Sequence, residues 1–82
     1  MTRVKLYSRR TCGLCDRARE TILGLVNERP FSFEEIFVDG DDDLERAFGL
    51  RVPVVLVDGV ETFEVEVSRE DLREALEHAP GD

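Results

Sequence analysis

The sequence predicts a single α/β domain that spans residues 1–82 and contains a four-stranded mixed sheet with helices on both faces. A chain of 82 residues is too short for a second hydrophobic core. Stretches with the period of a strand and stretches with the period of a helix follow one another in the order β-α-β-α-β-β-α. The first two strands are separated by a helix of crossover length and are expected to be parallel, and a closing hairpin adds antiparallel strands.

The first half of the chain predicts a βαβ unit. Arg3–Ser8 alternates polar and apolar residues, which is the period of a strand. From Cys12 onward, apolar residues return at intervals of three and four, as one face of a helix requires. Thr11 is the expected N-cap of this helix, and Pro30 bars its continuation. Phe31–Val38 is rich in aromatic and β-branched residues and predicts the second strand.

A short helix and a β-hairpin are predicted next. Asp41–Asp43 would form an acidic first turn that suits the positive end of the helix dipole, an interpretation that we favour over a metal site because consecutive carboxylates do not converge. Gly49 is the expected C-cap. The apolar run Val52–Val57 and the alternating run Val60–Val67 are joined by Asp58-Gly59, a strong signal for a two-residue hairpin turn.

The last predicted element is a helix capped by Ser68, with Asp71 as its acidic third residue. Pro80-Gly81 is the expected stop signal. His78, the only histidine, falls near the end of this helix, and we interpret it as a solvated residue because nothing in the sequence ties it to a catalytic group.

Composition excludes several classes of function. The net charge of −8 disfavours binding to nucleic acids or anionic membranes, which depends on basic residues. The longest apolar run, Val52–Val57, is far shorter than the roughly 20 residues that span a bilayer. Met1 leads directly into the first strand without the apolar core of a signal peptide. We therefore expect a monomeric cytoplasmic protein whose macromolecular partners, if any, are proteins.

Cys12 and Cys15 carry the strongest chemical signal. Cysteines at i and i+3 in the first turn of a helix share one face and lie within reach of a disulfide. Unpaired N–H groups at the helix start favour the thiolate of Cys12, the reactive form, and Arg9 and Arg10 add positive potential, against which Asp16 acts. We predict that Cys12 attacks a target disulfide and that Cys15, the less exposed thiol, resolves the mixed disulfide.

The cysteines have two other interpretations. The pair could be half of a zinc site, but the remaining ligands are missing because the chain has no further cysteine and only His78. The cysteines could also be inert packing residues, since free cysteine behaves as a small hydrophobe. A redox motif at a strand-to-helix junction favours the dithiol interpretation, and no intramolecular metal site is predicted.

Val52-Pro53 supports the same site. Proline cannot donate to a strand ladder, so its place at the start of a strand next to the first one needs a reason. One reason is a cis peptide that turns the Val52 backbone toward Cys12 and offers an edge to an extended thiol substrate. The alternative is a trans proline that opens an edge strand. The Cys-x-x-Cys context favours the cis form.

These residues resemble the glutaredoxins of the thioredoxin superfamily, in particular the short glutaredoxin-like proteins of bacteria. The resemblance covers nearly the whole chain, and the segments that carry it are Val4–Cys15, Val52-Pro53 and Asp71-Leu72. It implies a thioredoxin-like fold, a cis proline at Pro53, a nucleophile at Cys12 and a resolving thiol at Cys15. It also implies that Arg9 meets a glutathione carboxylate and that Tyr7 matches the aromatic residue of the family's first strand.

The chain departs from the glutaredoxin pattern at two places. Between the cysteines it has Gly13-Leu14 in place of Pro-Tyr, which removes an aromatic wall of the glutathione site. Thr62–Val67 replaces a Gly-Gly pair, so side chains would crowd the groove, and Glu64 and Glu66 would repel a carboxylate. We expect glutathione to bind weakly.

The sequence therefore predicts a dithiol–disulfide oxidoreductase that reduces protein or small-molecule disulfides, with a role in electron transfer and cell redox homeostasis. The predicted substrate site comprises Tyr7, Arg9, Gly13, Leu14, Val52 and Pro53. No bound cofactor is expected, and glutathione or a thioredoxin-type reductase is the expected electron donor. Two alternatives stay open: a carrier in which two chains and glutathione share an iron–sulfur cluster through Cys12, and a thioredoxin-like interaction module with incidental cysteines.

Overall fold

The structure is a computed structural model that describes residues 1–79. Its strands are β1 (Arg3–Ser8), β2 (Ser32–Phe37), β3 (Val54–Val57) and β4 (Val60–Glu64), and its helices are α1 (Gly13–Leu25), α2 (Asp42–Phe48) and α3 (Arg69–His78). This order confirms the predicted β-α-β-α-β-β-α sequence of elements. The predicted stop signal at Pro80-Gly81 lies outside the described residues.

The four strands form one mixed sheet in the order β2-β1-β3-β4. β1 runs parallel to β2, with α1 as the crossover between them, and β3 runs antiparallel to both β1 and β4. Asp58 and Gly59 close the β3-β4 hairpin with φ values of 51° and 85°, because a type I′ turn requires positive φ at both central residues. The structure thus confirms the mixed sheet, its parallel first pair and the hairpin.

The main core lies between the sheet and the helices α1 and α3. Val4 and Leu6 alternate along β1 and point to the same face, where they meet Val55 and Val57 of β3. The helices contribute Ala18, Ile22 and Leu25 from α1 and Leu72 and Leu76 from α3. Each large apolar side chain buried in this way stabilises the fold by about 1.5–3 kcal/mol.

The opposite face of the sheet is covered by α2. Tyr7 follows Leu6 in β1, so its side chain points away from the main core. Its ring stacks on that of Phe48 at the end of α2, with centroids 4.2 Å apart and planes inclined by 14°. The guanidinium group of Arg51 lies over the Phe48 ring, 5.6 Å from its centroid. Helices therefore flank both faces, as predicted.

α2 begins and ends as the sequence indicated. Asp41 is the N-cap and accepts the Leu44 N–H at 3.1 Å, while Gly49 is the C-cap. The φ of Gly49 is −52°, so glycine is not needed here for a left-handed conformation. It is needed for space, because an added Cβ would lie 2.5 Å from the backbone oxygen of Glu45 and 2.8 Å from Nη2 of Arg9.

The prediction of Thr11 as the N-cap of α1 is wrong. Cys12 is the N-cap: its backbone is extended, with φ −150° and ψ 109°, and its Sγ accepts the Cys15 N–H. The cap preference for hydroxyl side chains favoured Thr11 in the sequence. Cys12 is the cap because its side chain, three residues before Cys15, is the one that reaches the Cys15 N–H.

The predicted ends of three strands also differ from the structure. β2 is one residue shorter at each end than Phe31–Val38, and β3 begins at Val54 after the proline. β4 ends at Glu64 and does not continue to Val67, because Val65 adopts a φ of +71° that no strand contains. The Val65 N–H leaves the hairpin ladder and donates to the backbone oxygen of Pro53 at 2.8 Å.

Candidate active site

Cys12 and Cys15 lie where β1 feeds into α1. They are joined by a disulfide, with Cα atoms 5.2 Å apart, as the i, i+3 spacing at a helix start predicted. Cys12 is half-buried, whereas Cys15 faces the core and has no exposed surface. An incoming molecule can therefore reach only the sulfur of Cys12.

The first turn of α1 places a hydrogen-bond donor at the Cys12 sulfur. The Cys15 N–H donates to Cys12 Sγ at 3.1 Å, so one of the unpaired N–H groups of the helix start points at the sulfur. Asp16, whose negative charge is expected to oppose a thiolate at Cys12, forms an ion pair with Arg19 at 3.0 Å. Its negative charge is thereby partly offset within the helix.

Arg9 does not present a free guanidinium group. Its Nη1 donates to Oε2 of Glu45 at 2.8 Å, its Nη2 donates to Oε1 of the same carboxylate, and Nη2 also donates to the backbone oxygen of Gly49 at 3.0 Å. The hydrogen bonds of this pair raise the pKa of Arg9 and lower the pKa of Glu45. Glu45 thus occupies the two guanidinium nitrogens of Arg9 that could otherwise bind a ligand carboxylate.

Arg10 keeps its positive charge available. Its guanidinium group lies over the ring of Phe37, 4.8 Å from the centroid, and its backbone N–H donates to Oδ1 of Asp39 at 3.1 Å. Within residues 1–79, no carboxylate forms an ion pair with Arg10. Of the two arginines predicted to add positive potential near Cys12, Arg10 is thus the one without a neutralising partner.

Val52 and Pro53 lie at the same end of the sheet as the cysteines. Tyr7, at the end of β1, pairs with Val54, at the start of the antiparallel β3, so the segment before β3 adjoins the loop that carries Cys12. The Val52–Pro53 peptide bond is cis, and Pro53 is fully buried. The structure therefore brings this segment and the disulfide to one edge of the sheet.

Tyr7 and Gly13, two residues of the predicted substrate site, have different surroundings at this edge of the sheet. The Tyr7 ring contacts Phe48 and supports α2. Gly13, the first residue of α1, is exposed, and a Cβ at this position would meet no atom within 4 Å. Gly13 thus leaves open space beside the disulfide.

A groove of about 250 Å³ lies next to the cysteines. One wall belongs to α1, with Leu14, Arg17 and Thr21, and the other belongs to the segment from Val65 to Ser68. Leu14 stands between the two cysteines and is 38% exposed, while Val65 is 41% exposed. The groove therefore presents apolar side chains to solvent next to the helix turn that carries the cysteine pair.

The backbone of Val65 is an outlier. A φ of +71° is unfavourable for any residue with a Cβ, and most of all for a β-branched one. Such a conformation costs about 1–3 kcal/mol and persists only where the surrounding structure imposes it. The bond from the Val65 N–H to Pro53 is one such constraint.

Sequence reasoning missed three residues of this region. Glu45 neutralises Arg9, Arg17 lines the groove, and Glu35 bonds both Ser8 and Arg19 beneath the cysteine loop. Glu45 and Glu35 are distant in sequence from the arginines with which they pair and carry no local signal. Val65 belongs to the stretch Thr62–Val67, whose side chains were expected to crowd the groove.

The comparisons with known proteins identify the family. The family model described as Glutaredoxin-like domain (DUF836) matches residues 3–77. The chain belongs to this family of glutaredoxin-like domains. Within the part of this glutaredoxin-like chain that the structure describes, no three histidine, cysteine, aspartate or glutamate side chains cluster as a metal site requires. No helix among residues 1–79 has the length and apolarity needed to cross a membrane.

Relatives and solved structures agree with this assignment. The glutaredoxin-like chain is 39% identical over 75 residues to the uncharacterized protein Rv0508 of Mycobacterium tuberculosis, an alignment that covers 85% of the chain and 77% of that protein. It is 38% identical to the structural genomics target XcR50 of X. campestris, with a TM-score of 0.78 and coverage of 94% and 99%. Thioredoxin O2 of Arabidopsis thaliana in its oxidized state matches with a TM-score of 0.67, 27% identity and coverage of 94% and 73%. The thioredoxin-like fold and the cysteine pair together support a redox function.

Proposed function

We propose that this glutaredoxin-like protein is a thiol–disulfide oxidoreductase that reduces protein or small-molecule disulfides with its Cys12 and Cys15 thiols. The observation that carries the proposal is the asymmetry of the pair. Cys12 is half-buried and accepts a helix N–H at its sulfur, whereas Cys15 is fully buried. One accessible sulfur in surroundings that stabilise its anion is what attack on a substrate disulfide requires.

The proposed reaction starts from the reduced pair. The Cys12 thiolate attacks one sulfur of the substrate disulfide, the substrate S–S bond breaks, and the departing thiolate takes up a proton. Cys15 then loses its proton, and its sulfur attacks Cys12 Sγ, which breaks the mixed disulfide and releases the second substrate thiol. Two electrons pass to the substrate, and the protein ends with the Cys12–Cys15 disulfide, the state present in the structure.

Turnover then requires a donor of two electrons and two protons. Two molecules of glutathione or the dithiol of a thioredoxin-type reductase would supply them, and a reducing compartment such as the cytoplasm suits either donor. Two features favour the reductase over glutathione as the donor. The pairing of Arg9 with Glu45 reduces the positive charge available to glutathione, and the Val65 side chain reduces the space available to it.

The test is reduction of insulin and of 2-hydroxyethyl disulfide by the purified protein. We expect the wild type to reduce both and Cys12→Ser to reduce neither. Cys15→Ser should lose insulin reduction and accumulate a mixed disulfide at Cys12, visible as a mass increase equal to the substrate half. Leu23→Ala, a change at an exposed residue of the same helix, is the control and should behave as the wild type.

The proposal fails on a clear outcome. If the wild type reduces neither substrate, and if Cys12 of the reduced protein is alkylated no faster than free cysteine at pH 7, Cys12 is not an activated nucleophile.

A further inference from the structure

Val65 holds an exposed apolar side chain at a position where the backbone favours glycine. Its φ is +71°, and its N–H is fixed by the backbone oxygen of Pro53. Glycine would adopt this conformation without strain. The valine side chain is 41% exposed, so packing in the core does not account for it. Backbone strain retained at the edge of a candidate active site points to a role for the side chain itself.

The surroundings of Val65 indicate contact with a substrate. Its side chain lines one wall of the groove, and Leu14, which stands between Cys12 and Cys15, lines the other. Leu14 lies between the two cysteines in the chain, and the Val65 N–H is bonded to Pro53, so both walls of the groove adjoin the candidate active site. The groove, at about 250 Å³, is smaller than the roughly 300–1,000 Å³ of pockets that hold drug-sized ligands, and its size suits one large side chain.

The charges of the groove favour a neutral occupant. Arg17 lies on the helix wall and Glu66 lies on the opposite wall. Within the described chain, 1–79, neither side chain forms an ion pair with another residue. The opposite charges on the two walls act against each other on any charged occupant, so the groove selects neither sign, whereas an apolar side chain meets Leu14 and Val65.

We propose that Val65 is a specificity-determining residue that, together with Leu14, contacts a large apolar side chain next to the cysteine of a protein disulfide substrate. This inference rests on the proposed oxidoreductase function. It adds the substrate class: disulfides flanked by apolar residues in a protein chain, in preference to small or charged disulfides.

The test compares two peptides whose single cysteine is joined to thionitrobenzoate and flanked on both sides by leucine or by serine. Cys12 of the reduced protein attacks the peptide sulfur, because thionitrobenzoate is the better leaving group, and the released coloured anion gives the rate. We expect the wild type to favour the leucine peptide about tenfold, as burial of a few methylene groups provides. 2-Hydroxyethyl disulfide is the reference substrate without a flanking side chain.

Two substitutions separate a role in specificity from a role in the fold. Val65→Gly removes the side chain and the strain, and Val65→Thr keeps the shape and the strain but places a hydroxyl in the groove. Both should lower the preference for the leucine peptide to about threefold or less. Val65→Gly should unfold at the wild-type temperature or above it, which shows that the loss of preference does not come from a loss of the fold. Val60→Thr, at an exposed valine of β4 outside the groove, is the matched control.

The outcomes distinguish this inference from the function on which it rests. A wild type that reacts with both peptides at equal rates, or variants of Val65 that keep the full preference, would overturn the role of Val65 and leave the oxidoreductase intact. A wild type that attacks neither peptide nor 2-hydroxyethyl disulfide would overturn both.

Discussion

The contacts of Arg9 differ from those that its position in the sequence implied. Its position three residues before Cys12 implied that it binds a glutathione carboxylate. In the structure, its guanidinium fork already holds a carboxylate, that of Glu45, together with the backbone oxygen of Gly49. A ligand carboxylate must therefore displace Glu45 before it can use Arg9.

Removal of the Glu45 charge should make Arg9 available to glutathione. We expect Glu45→Gln to bind S-methylglutathione about two- to fivefold more tightly than the wild type. The gain is small because ion pairs with solvent access are weak. Chemical-shift titration of the labelled protein measures the dissociation constant without any redox step.

Two variants control this measurement. Glu28→Gln breaks a comparable pair, that of Glu28 with Arg73, away from the cysteines, and should leave the affinity unchanged. Arg9→Gln combined with Glu45→Gln should abolish the gain. A gain that survives in the double variant would mean that Arg9 does not contact the ligand.

The sequence predicted the placement of the cysteine pair better than it predicted the contacts of the neighbouring residues. The spacing of Cys12 and Cys15 and the helix that begins beside them are local patterns, and the structure contains both. Glu45, the partner of Arg9, lies 36 residues away in α2, and Glu35, one partner of Arg19, lies 16 residues away in β2. Such pairs depend on how the elements pack, so no local pattern in the sequence indicates them.

At the scale of elements, α1 is held to the sheet by a polar network beneath the cysteine loop. Nε and Nη2 of Arg19 donate to the two carboxylate oxygens of Glu35 at 2.7 and 2.6 Å. The hydroxyl of Ser8, which is fully buried at the end of β1, donates to the same carboxylate at 2.7 Å. Three elements, β1, β2 and α1, are thus joined near the loop that carries the cysteine pair.

This network should make the stability of the fold sensitive to acid. The hydrogen bond from Arg19, aided by that from Ser8, lowers the pKa of Glu35 below its ordinary value of 4.5 despite partial burial. The folded state therefore binds the proton less readily than the unfolded state does. Its stabilising contribution is complete above pH 4.5 and is lost as the pH falls through the lowered pKa.

Glu35→Gln tests this expectation. Hydrogen bonds to charged groups contribute about 1.5–3 kcal/mol, so we expect the variant to lose about 1–3 kcal/mol of unfolding free energy at pH 7. At pH 3 the difference from the wild type should be smaller, because the wild-type carboxylate is then closer to protonation. Urea denaturation at the two pH values measures both differences. Equal losses at pH 3 and pH 7 would show that the charge of Glu35 does not contribute.

The elements themselves were largely predictable because their signals are local. The Asp58-Gly59 turn, the Asp41 region and the Ser68 cap each depend on residues within a few positions, and the Ser68 hydroxyl accepts the Asp71 N–H at 3.0 Å as expected. The end of β4 was not predictable in this way. Alternation continues to Val67, but the bond from Val65 to Pro53, 12 positions earlier, turns the chain out of the sheet.

At the scale of the whole molecule, one small core carries the fold. A chain of 82 residues is stabilised by roughly 4–12 kcal/mol in total. Ile22 has no exposed surface and lies at the centre of the α1 contact with the sheet and α3. Its neighbour Leu23 is 46% exposed on the other side of the same helix.

This pair of residues provides a matched test of the core. Ile22→Ala should lower the unfolding free energy by about 2–5 kcal/mol, because it removes buried methylene groups and leaves a cavity. Leu23→Ala should change it by less than about 0.5 kcal/mol. Urea denaturation of both variants gives the comparison. A loss at Leu23 as large as that at Ile22 would place the core elsewhere.

The strand order also determines where the acidic residues of the sheet lie. β2 and β4 form its two edges, and they carry Glu34, Glu35, Glu61 and Glu64, whereas the inner strands β1 and β3 carry no acidic residue. An edge strand exposes unpaired backbone groups that can pair with another molecule. Glu35 is paired with Arg19, and Glu61 and Glu64 are paired with Arg51. Two copies of this protein that met along β2 would still bring their Glu34 side chains together, which opposes that pairing. The net charge of −8 acts in the same direction, because molecules of like charge repel one another, and it therefore also opposes growth of the sheet into aggregates.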